Sequence, residues 1–188
     1  LHQLLLTEDR NDAGYPCFVK YFQFIRTRSD VLEQQLAECL PKPVVEKEIA
    51  ATVLAIRGLF EVERPAARLD FQAANARGLA LARQAVATDP GDAWGNFAMA
   101  RLSYAAGDCE SAIVYTTRTM DANPNSAIFP SVLASQAPLC KYPDPDALLD
   151  QALLTQSPLY VRSRLSLVQA AIYLGSPEKI AQIKGSEI

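Results

Sequence analysis

The chain has 188 residues, enough for one domain or two small ones with a hydrophobic core. Hydrophobic residues make up 49% of the composition and charged residues 21%, which excludes a disordered tail, a collagen-like rod and a disulfide-dense mini-protein. The net charge of −3 argues against nucleic acid as a partner, and the single histidine, His2, argues against most His-dependent catalysis and most zinc sites.

The first half of the chain is predicted to form helical pairs. Residues 1–12 read as the end of a preceding segment or a linker, and residues 13–188 as one helical-repeat domain. Ser29 is placed to cap the second helix, and the segment 63–70 reads as a loop insertion between the third and fourth. The apolar periodicity predicts helices over 14–25, 29–40, 44–62 and 71–87.

Proline recurs with a fixed period in the second half of the chain. Pro90, Pro124 and Pro158 are successively 34 residues apart, and an Ala- or Leu-rich helical segment precedes each of them. Because proline ends a helix, each of these residues is expected to close one unit and start the next. No segment of useful length alternates apolar and polar residues as a strand would, so the sequence predicts an all-α fold.

The unit that starts at Pro90 shows the helix–turn–helix pattern most clearly. Asp92 is placed to cap a helix that runs to about Ala106. Gly107 suits a left-handed position at the end of that helix, and Asp108 is placed to cap the second helix. The second helix is then expected to end at the Asn-Pro pair that closes the unit.

This unit resembles the tetratricopeptide repeat (TPR), a helix–turn–helix of 34 residues. The residues that match are Ala100, Gly107, Asp108, Ala112 and Pro124. Thr116 and Thr119 depart from the family pattern, which has an aromatic residue and an alanine there. The resemblance implies a right-handed solenoid of about three and a half to four helix–turn–helix units with a C-terminal capping helix; an unrelated helical bundle with an accidental period is the alternative.

The TPR resemblance also implies a binding groove on the concave face, lined by the first helix of each repeat. Trp94, Phe97, Arg101 and Tyr104 form one stripe of the best unit, and tryptophan, tyrosine and arginine are enriched at binding hot spots. The groove residues of the later units are expected to be Ser131, Ser135, Arg162 and Gln169. The alternative is that this aromatic stripe belongs to the core, or that another part of the same chain fills the groove.

The four cysteines form two pairs in repeat geometry. Cys17 lies early in one predicted helix and Cys39 at the end of the antiparallel one, while Cys109 and Cys140 lie at the turn edge of adjacent repeats. We therefore expect disulfides Cys17–Cys39 and Cys109–Cys140, which require an oxidising compartment. Four buried free thiols are the alternative, and zinc is disfavoured because the chain has no C-x₂-C pair.

The pattern of residues 15–40, followed by a charged insertion before the repeats, resembles the extracytoplasmic repeat domain of bacterial membrane-anchored proteins. These are winged-helix transcriptional regulators and related class III cyclases. The resemblance implies a periplasmic interaction or sensory domain of a larger signalling or regulatory protein, with a protein, a peptide or another domain of the same chain as its partner and a homo-oligomer as a further option. A cytosolic TPR scaffold, or a small-molecule or redox sensor, is the alternative.

Sequence motifs for catalysis are missing. The chain contains no phosphate-binding glycine loop, no G-x-S-x-G elbow and no apolar run of about 18–20 residues that would span a membrane. Asp144 and Asp146 flank Pro145, where capping of the next helix is favoured over metal binding. The sequence therefore predicts a domain that is not an enzyme and carries no cofactor and no metal.

Overall fold

The computed structural model describes residues 47–126 and 128–154, together with positions 23, 31, 34, 35, 171, 172, 175 and 177–180. Within these residues every regular element is helical, as the sequence predicts, and no strand occurs. The α-helices are α1 (Lys47–Glu63), α2 (Phe71–Thr88), α3 (Ala93–Ala106), α4 (Cys109–Ala122), α5 (Phe129–Gln136) and α6 (Pro145–Leu154). Two 3-10 segments, Pro65–Arg68 and Ala137–Cys140, follow α1 and α5.

The chain divides into two compact units, and the division falls between Pro90 and Gly91. Pro90 is also the first proline of the 34-residue period, so the break coincides with a predicted repeat boundary. The prediction that residues 13–188 form one domain stays a prediction, as does the solenoid arrangement.

The first unit contains α1 packed against α2. Small residues let the two helices approach closely: a Cβ added to Gly58 would lie 2.7 Å from the carbonyl oxygen of Gly78. Around this contact Ala55, Ala74 and Ala82 are fully buried. Asp70 starts α2 because its side chain accepts a hydrogen bond from the backbone N–H of Ala73 at 3.0 Å. The predicted loop insertion is present, and its centre forms the first 3-10 segment.

The second unit opens with the hairpin of α3 and α4, and its predicted turn chemistry is confirmed. The side chain of Asp92 accepts a hydrogen bond from the backbone N–H of Gly95 and caps α3. Gly107 has a φ of 75°, the left-handed conformation that glycine adopts without steric cost. The side chain of Asp108 accepts from the backbone N–H of Ser111 at 3.2 Å and caps α4. The hairpin therefore begins and ends where the 34-residue pattern predicts.

The next hairpin, α5 and α6, is less regular than the first. The sequence interpretation extends the first helix of this unit to Cys140, whereas α5 ends at Gln136 and the 3-10 segment continues to Cys140. Pro138 explains the difference, because it has no backbone N–H with which to continue the α-helical hydrogen bonds. Asp144 accepts from the backbone N–H of Ala147 at 2.9 Å, which confirms its predicted capping role.

Candidate functional site

The aromatic residues of the predicted groove stripe form a cluster with a third aromatic ring in the second unit. The ring centroids of Trp94 and Phe97 lie 5.7 Å apart on α3. Phe129, at the start of α5, lies 4.9 Å from the Trp94 ring and 4.7 Å from the Phe97 ring. Edge-on contacts of this kind add to the apolar area that the rings bury. We call these three residues the aromatic cluster.

Burial limits what the aromatic cluster can offer to a partner. Trp94 is 6% exposed, and Phe97 and Phe129 are each 2% exposed. Most residues of α3 are buried, and Arg101 is a half-buried exception on the predicted stripe. Arg101 is therefore the most exposed residue of the predicted stripe, and the buried rings offer little surface to a partner.

The remaining predicted groove residues fall into two groups. Ser135 lies on α5, half-buried, and its hydroxyl donates to the carbonyl oxygen of Val132 at 2.7 Å. Ser131 is a helical residue of α5. Arg162 and Gln169 lie outside the described residues, so the structure describes only the predicted groove residues of α3 and α5.

Tyr104, the last residue of the predicted stripe, is 5% exposed and its phenol oxygen contacts α4. The hydroxyl of Thr116 donates to this oxygen at 3.4 Å. Burial raises the pKa of Tyr104 above its ordinary value; the Thr116 hydrogen bond acts in the opposite direction, and Tyr142 adds to the increase. Thr116 is one of the two positions that depart from the TPR pattern, and its hydroxyl bonds to Tyr104 of the other helix of the hairpin.

We expect the free energy of unfolding to fall as the pH rises above 10, partly because of Tyr104. The unfolded phenol ionises near pH 10.0, while the folded phenol stays protonated to higher pH. The contribution of Tyr104 to the free energy of unfolding is therefore complete below pH 10.0 and is lost as the pH rises through the pKa of the folded state. Tyr104→Phe should cost about 1 kcal/mol at neutral pH, since Thr116 loses its acceptor, and should make the decline shallower. Urea unfolding between pH 7 and 11 measures both effects.

Thr116→Val is the matched control for this prediction. It removes the same hydrogen bond but keeps the phenol, so the decline above pH 10 should persist. An identical pH dependence in Tyr104→Phe and the unaltered protein would contradict the role given to Tyr104.

The predicted disulfide Cys109–Cys140 is present. The two Sγ atoms lie 2.08 Å apart and the two Cα atoms 5.1 Å apart. Cys109 is the first residue of α4 and Cys140 the last residue of the second 3-10 segment, so the bridge joins two consecutive helical hairpins. The predicted partners Cys17 and Cys39 lie outside the described residues.

Two contacts of the second unit are not predicted by the sequence analysis. Phe129 contacts the Trp94 ring, and Phe129 is not among the groove residues predicted from the sequence. Lys179 pairs with two carboxylates of α6, and its Nζ lies 2.8 Å from both Asp146 and Asp150. The i, i+4 spacing of these two aspartates was a signal for a shared cation, although it does not identify Lys179.

The charge of Lys179 is stabilised by this pairing. Burial acts to lower the pKa of Lys179, but the hydrogen bonds with Asp146 and Asp150 outweigh it and leave the pKa above its ordinary value. The cluster therefore attaches the helical residues 177–180 to α6 through charge-assisted hydrogen bonds.

Comparisons of the chain with protein-family models, with curated proteins and with solved structures found no match. Within the described parts of the chain, no group of three or more His, Cys, Asp or Glu side chains is arranged to hold a metal ion. No helix among the same residues is both long enough and apolar enough to cross a membrane.

Proposed function

We propose that this chain is a non-catalytic, TPR-like helical-repeat domain that binds a protein or peptide partner outside the cytoplasm, as part of a larger signalling or regulatory protein. The observation that carries the proposal is the disulfide between consecutive hairpins that follow the 34-residue period. It combines a repeat architecture, which is typical of interaction domains, with chemistry of an oxidising compartment.

The local geometry of the α3–α4 hairpin supports the repeat interpretation. A capped helix, a left-handed glycine and a second capped helix occur in the order that the TPR pattern requires. α5 then packs on both α3 and α4, as the first helix of a following repeat does in a solenoid. These contacts support a stack of repeats more than an unrelated bundle with an accidental period.

Arg101 is the residue through which we expect the groove to act. Trp94, Phe97 and Tyr104 are buried, while Arg101 is partly exposed on the same stripe. Arg101 already interacts within the protein, so a partner would have to share or replace that interaction. Arginine can do so with a carboxylate, because it forms bidentate hydrogen bonds with that group. The partner is therefore expected to contribute an acidic side chain or a C-terminal carboxylate at this point.

The test is the binding of a peptide library by the oxidised protein. The unaltered protein should select peptides with acidic side chains or a free C-terminal carboxylate over their neutral, amidated counterparts. Arg101→Glu should weaken the binding of the selected peptides at least tenfold, which is about 1.4 kcal/mol. Fluorescence anisotropy of the selected peptides measures the affinity.

Arg118→Glu is the matched control for the groove. Arg118 is an exposed residue of α4 whose guanidinium lies 5.3 Å from the ring centroid of Tyr115, outside the predicted stripe. It introduces the same change of charge and should leave the affinity within about twofold. Equal losses in the two variants, or no selection of peptides by the unaltered protein, would contradict the proposed function.

A further inference from the structure

We propose that the Cys109–Cys140 pair is a site of thiol–disulfide exchange with a dithiol reductant, and that its reduction releases the turn at residues 137–142 from α4. The inference concerns a chemical modification of the protein itself. It does not depend on whether the concave face binds a peptide, so the two proposals fail independently.

The bridge is accessible from one side. Cys140 is 8% exposed, whereas Cys109 is half-buried at the first residue of α4. An attacking thiolate therefore reaches the sulfur of Cys109 more easily than that of Cys140, and access is one of the factors that set the rate of exchange.

The turn that carries Cys140 has few other attachments to α4. The side chain of Leu139 is 65% exposed, and among the side chains of this segment that the structure describes, only that of Ala137 is completely buried. Beyond the bridge, a contact of 3.5 Å between the hydroxyls of Thr117 and Tyr142 links the turn to α4. Segments with few buried apolar contacts open at a low free energy, and the bridge is the covalent restraint that holds this turn on α4.

The backbone conformation of Lys141 favours opening of the turn once the bridge is broken. Its φ of 52° is the only positive value among the described non-glycine residues. The backbone N–H of Tyr142 donates to the carbonyl oxygen of Ala137 at 3.1 Å and closes the turn around Lys141. The left-handed conformation is unfavourable for a residue with a Cβ, and it persists only where its surroundings enforce it.

The exchange is a two-electron reduction of the bridge. The first thiolate of the dithiol attacks Sγ of Cys109, forms a mixed disulfide and expels Cys140 as a thiolate, which takes up a proton. The second thiol of the reductant, as its thiolate, then attacks the reductant's first sulfur, which is bonded to Cys109 in the mixed disulfide. This step expels Cys109 as a thiolate, which also takes up a proton. The protein gains two thiols, and the reductant leaves as a disulfide.

The first test is reduction of the folded protein with dithiothreitol, followed by alkylation and mass spectrometry. We expect Cys109 and Cys140 to become alkylated without denaturant, while the far-UV circular dichroism keeps its helical signal. Protection of both residues until denaturant is added would overturn the exchange proposal.

The second test is limited trypsin digestion of the reduced and alkylated protein. Cleavage after Lys141 should accelerate at least tenfold on reduction, because a protease requires a locally opened backbone. Arg118, an exposed residue within α4, is the internal control, and its cleavage should stay unchanged. Equal acceleration at both residues would show that the bridge stabilises the whole unit, and no acceleration would show that the turn stays closed; both results overturn the proposal.

Two variants test the roles of the disulfide and of the left-handed Lys141 backbone separately. Cys109→Ser/Cys140→Ser should reproduce the fast cleavage without any reductant or alkyl group. Lys141→Gly tolerates the left-handed conformation, so the turn should stay closed after reduction, and hydrogen exchange at the Tyr142 amide should rise less than in the unaltered protein. An equal rise in both proteins would contradict the role of Lys141.

Discussion

Phe129→Ala is expected to lower the free energy of unfolding by about 3–5 kcal/mol, the range for removal of a buried phenylalanine side chain. Phe129 is 2% exposed and contacts the rings of both Trp94 and Phe97. Its removal leaves a cavity between α3 and α5 that the surrounding helices can fill only in part. Urea unfolding measured by circular dichroism gives the free energy.

Trp94 is the only tryptophan of the chain, so its fluorescence reports on the aromatic cluster alone. We expect the emission of Phe129→Ala to shift to longer wavelengths, because water gains access to the Trp94 ring. The matched control is Phe71→Ala, which removes the same side chain from a residue that is 46% exposed and should cost less than about 1 kcal/mol. A similar loss of stability in the two variants would show that the cluster is not part of the core.

The burial of the aromatic cluster also changes how the predicted groove can be tested. Trp94→Ala would remove a core side chain and weaken the fold, so a loss of binding in that variant has two explanations. Arg101 keeps part of its side chain accessible, and a change there leaves the three rings in place. A variant of Arg101 is therefore a better test of the predicted groove than a variant of Trp94.

The sequence predicts the α3–α4 hairpin well because its ends are set by local chemistry. Aspartate side chains accept hydrogen bonds from the first backbone N–H groups of both helices, and a glycine is favoured where φ is positive. These rules act over three or four residues, so a single sequence is sufficient to locate them. The pairing of Cys109 with Cys140 adds only the assumption that consecutive repeats stack.

Contacts across longer distances are less predictable. A period of 34 residues aligns equivalent positions of consecutive repeats but does not specify which side chains touch, so it does not predict the contact between Phe129 and Trp94. Pro138 similarly replaces the last turn of a regular helix by a 3-10 segment. The partner of Asp146 and Asp150 is Lys179, and nothing in the local sequence specifies that pairing.

Gly58→Ala tests the close approach of α1 and α2. Helix propensity alone predicts that alanine stabilises a helix relative to glycine by about 0.5–1 kcal/mol. At this position, however, the added Cβ would lie 2.7 Å from the carbonyl oxygen of Gly78, which belongs to the backbone of α2 and cannot rotate away. The helices would have to separate, and we expect a net loss of about 2–3 kcal/mol from the overpacked contact.

Ala80→Gly provides the control that isolates helix propensity. Ala80 is an exposed residue of α2, so this variant should lose only the propensity difference between alanine and glycine, about 1 kcal/mol. Urea unfolding of both variants by circular dichroism gives the comparison. A gain in the free energy of unfolding of Gly58→Ala, equal to the loss in Ala80→Gly, would contradict this prediction. It would mean that α1 and α2 lie farther apart than the Gly58–Gly78 contact requires.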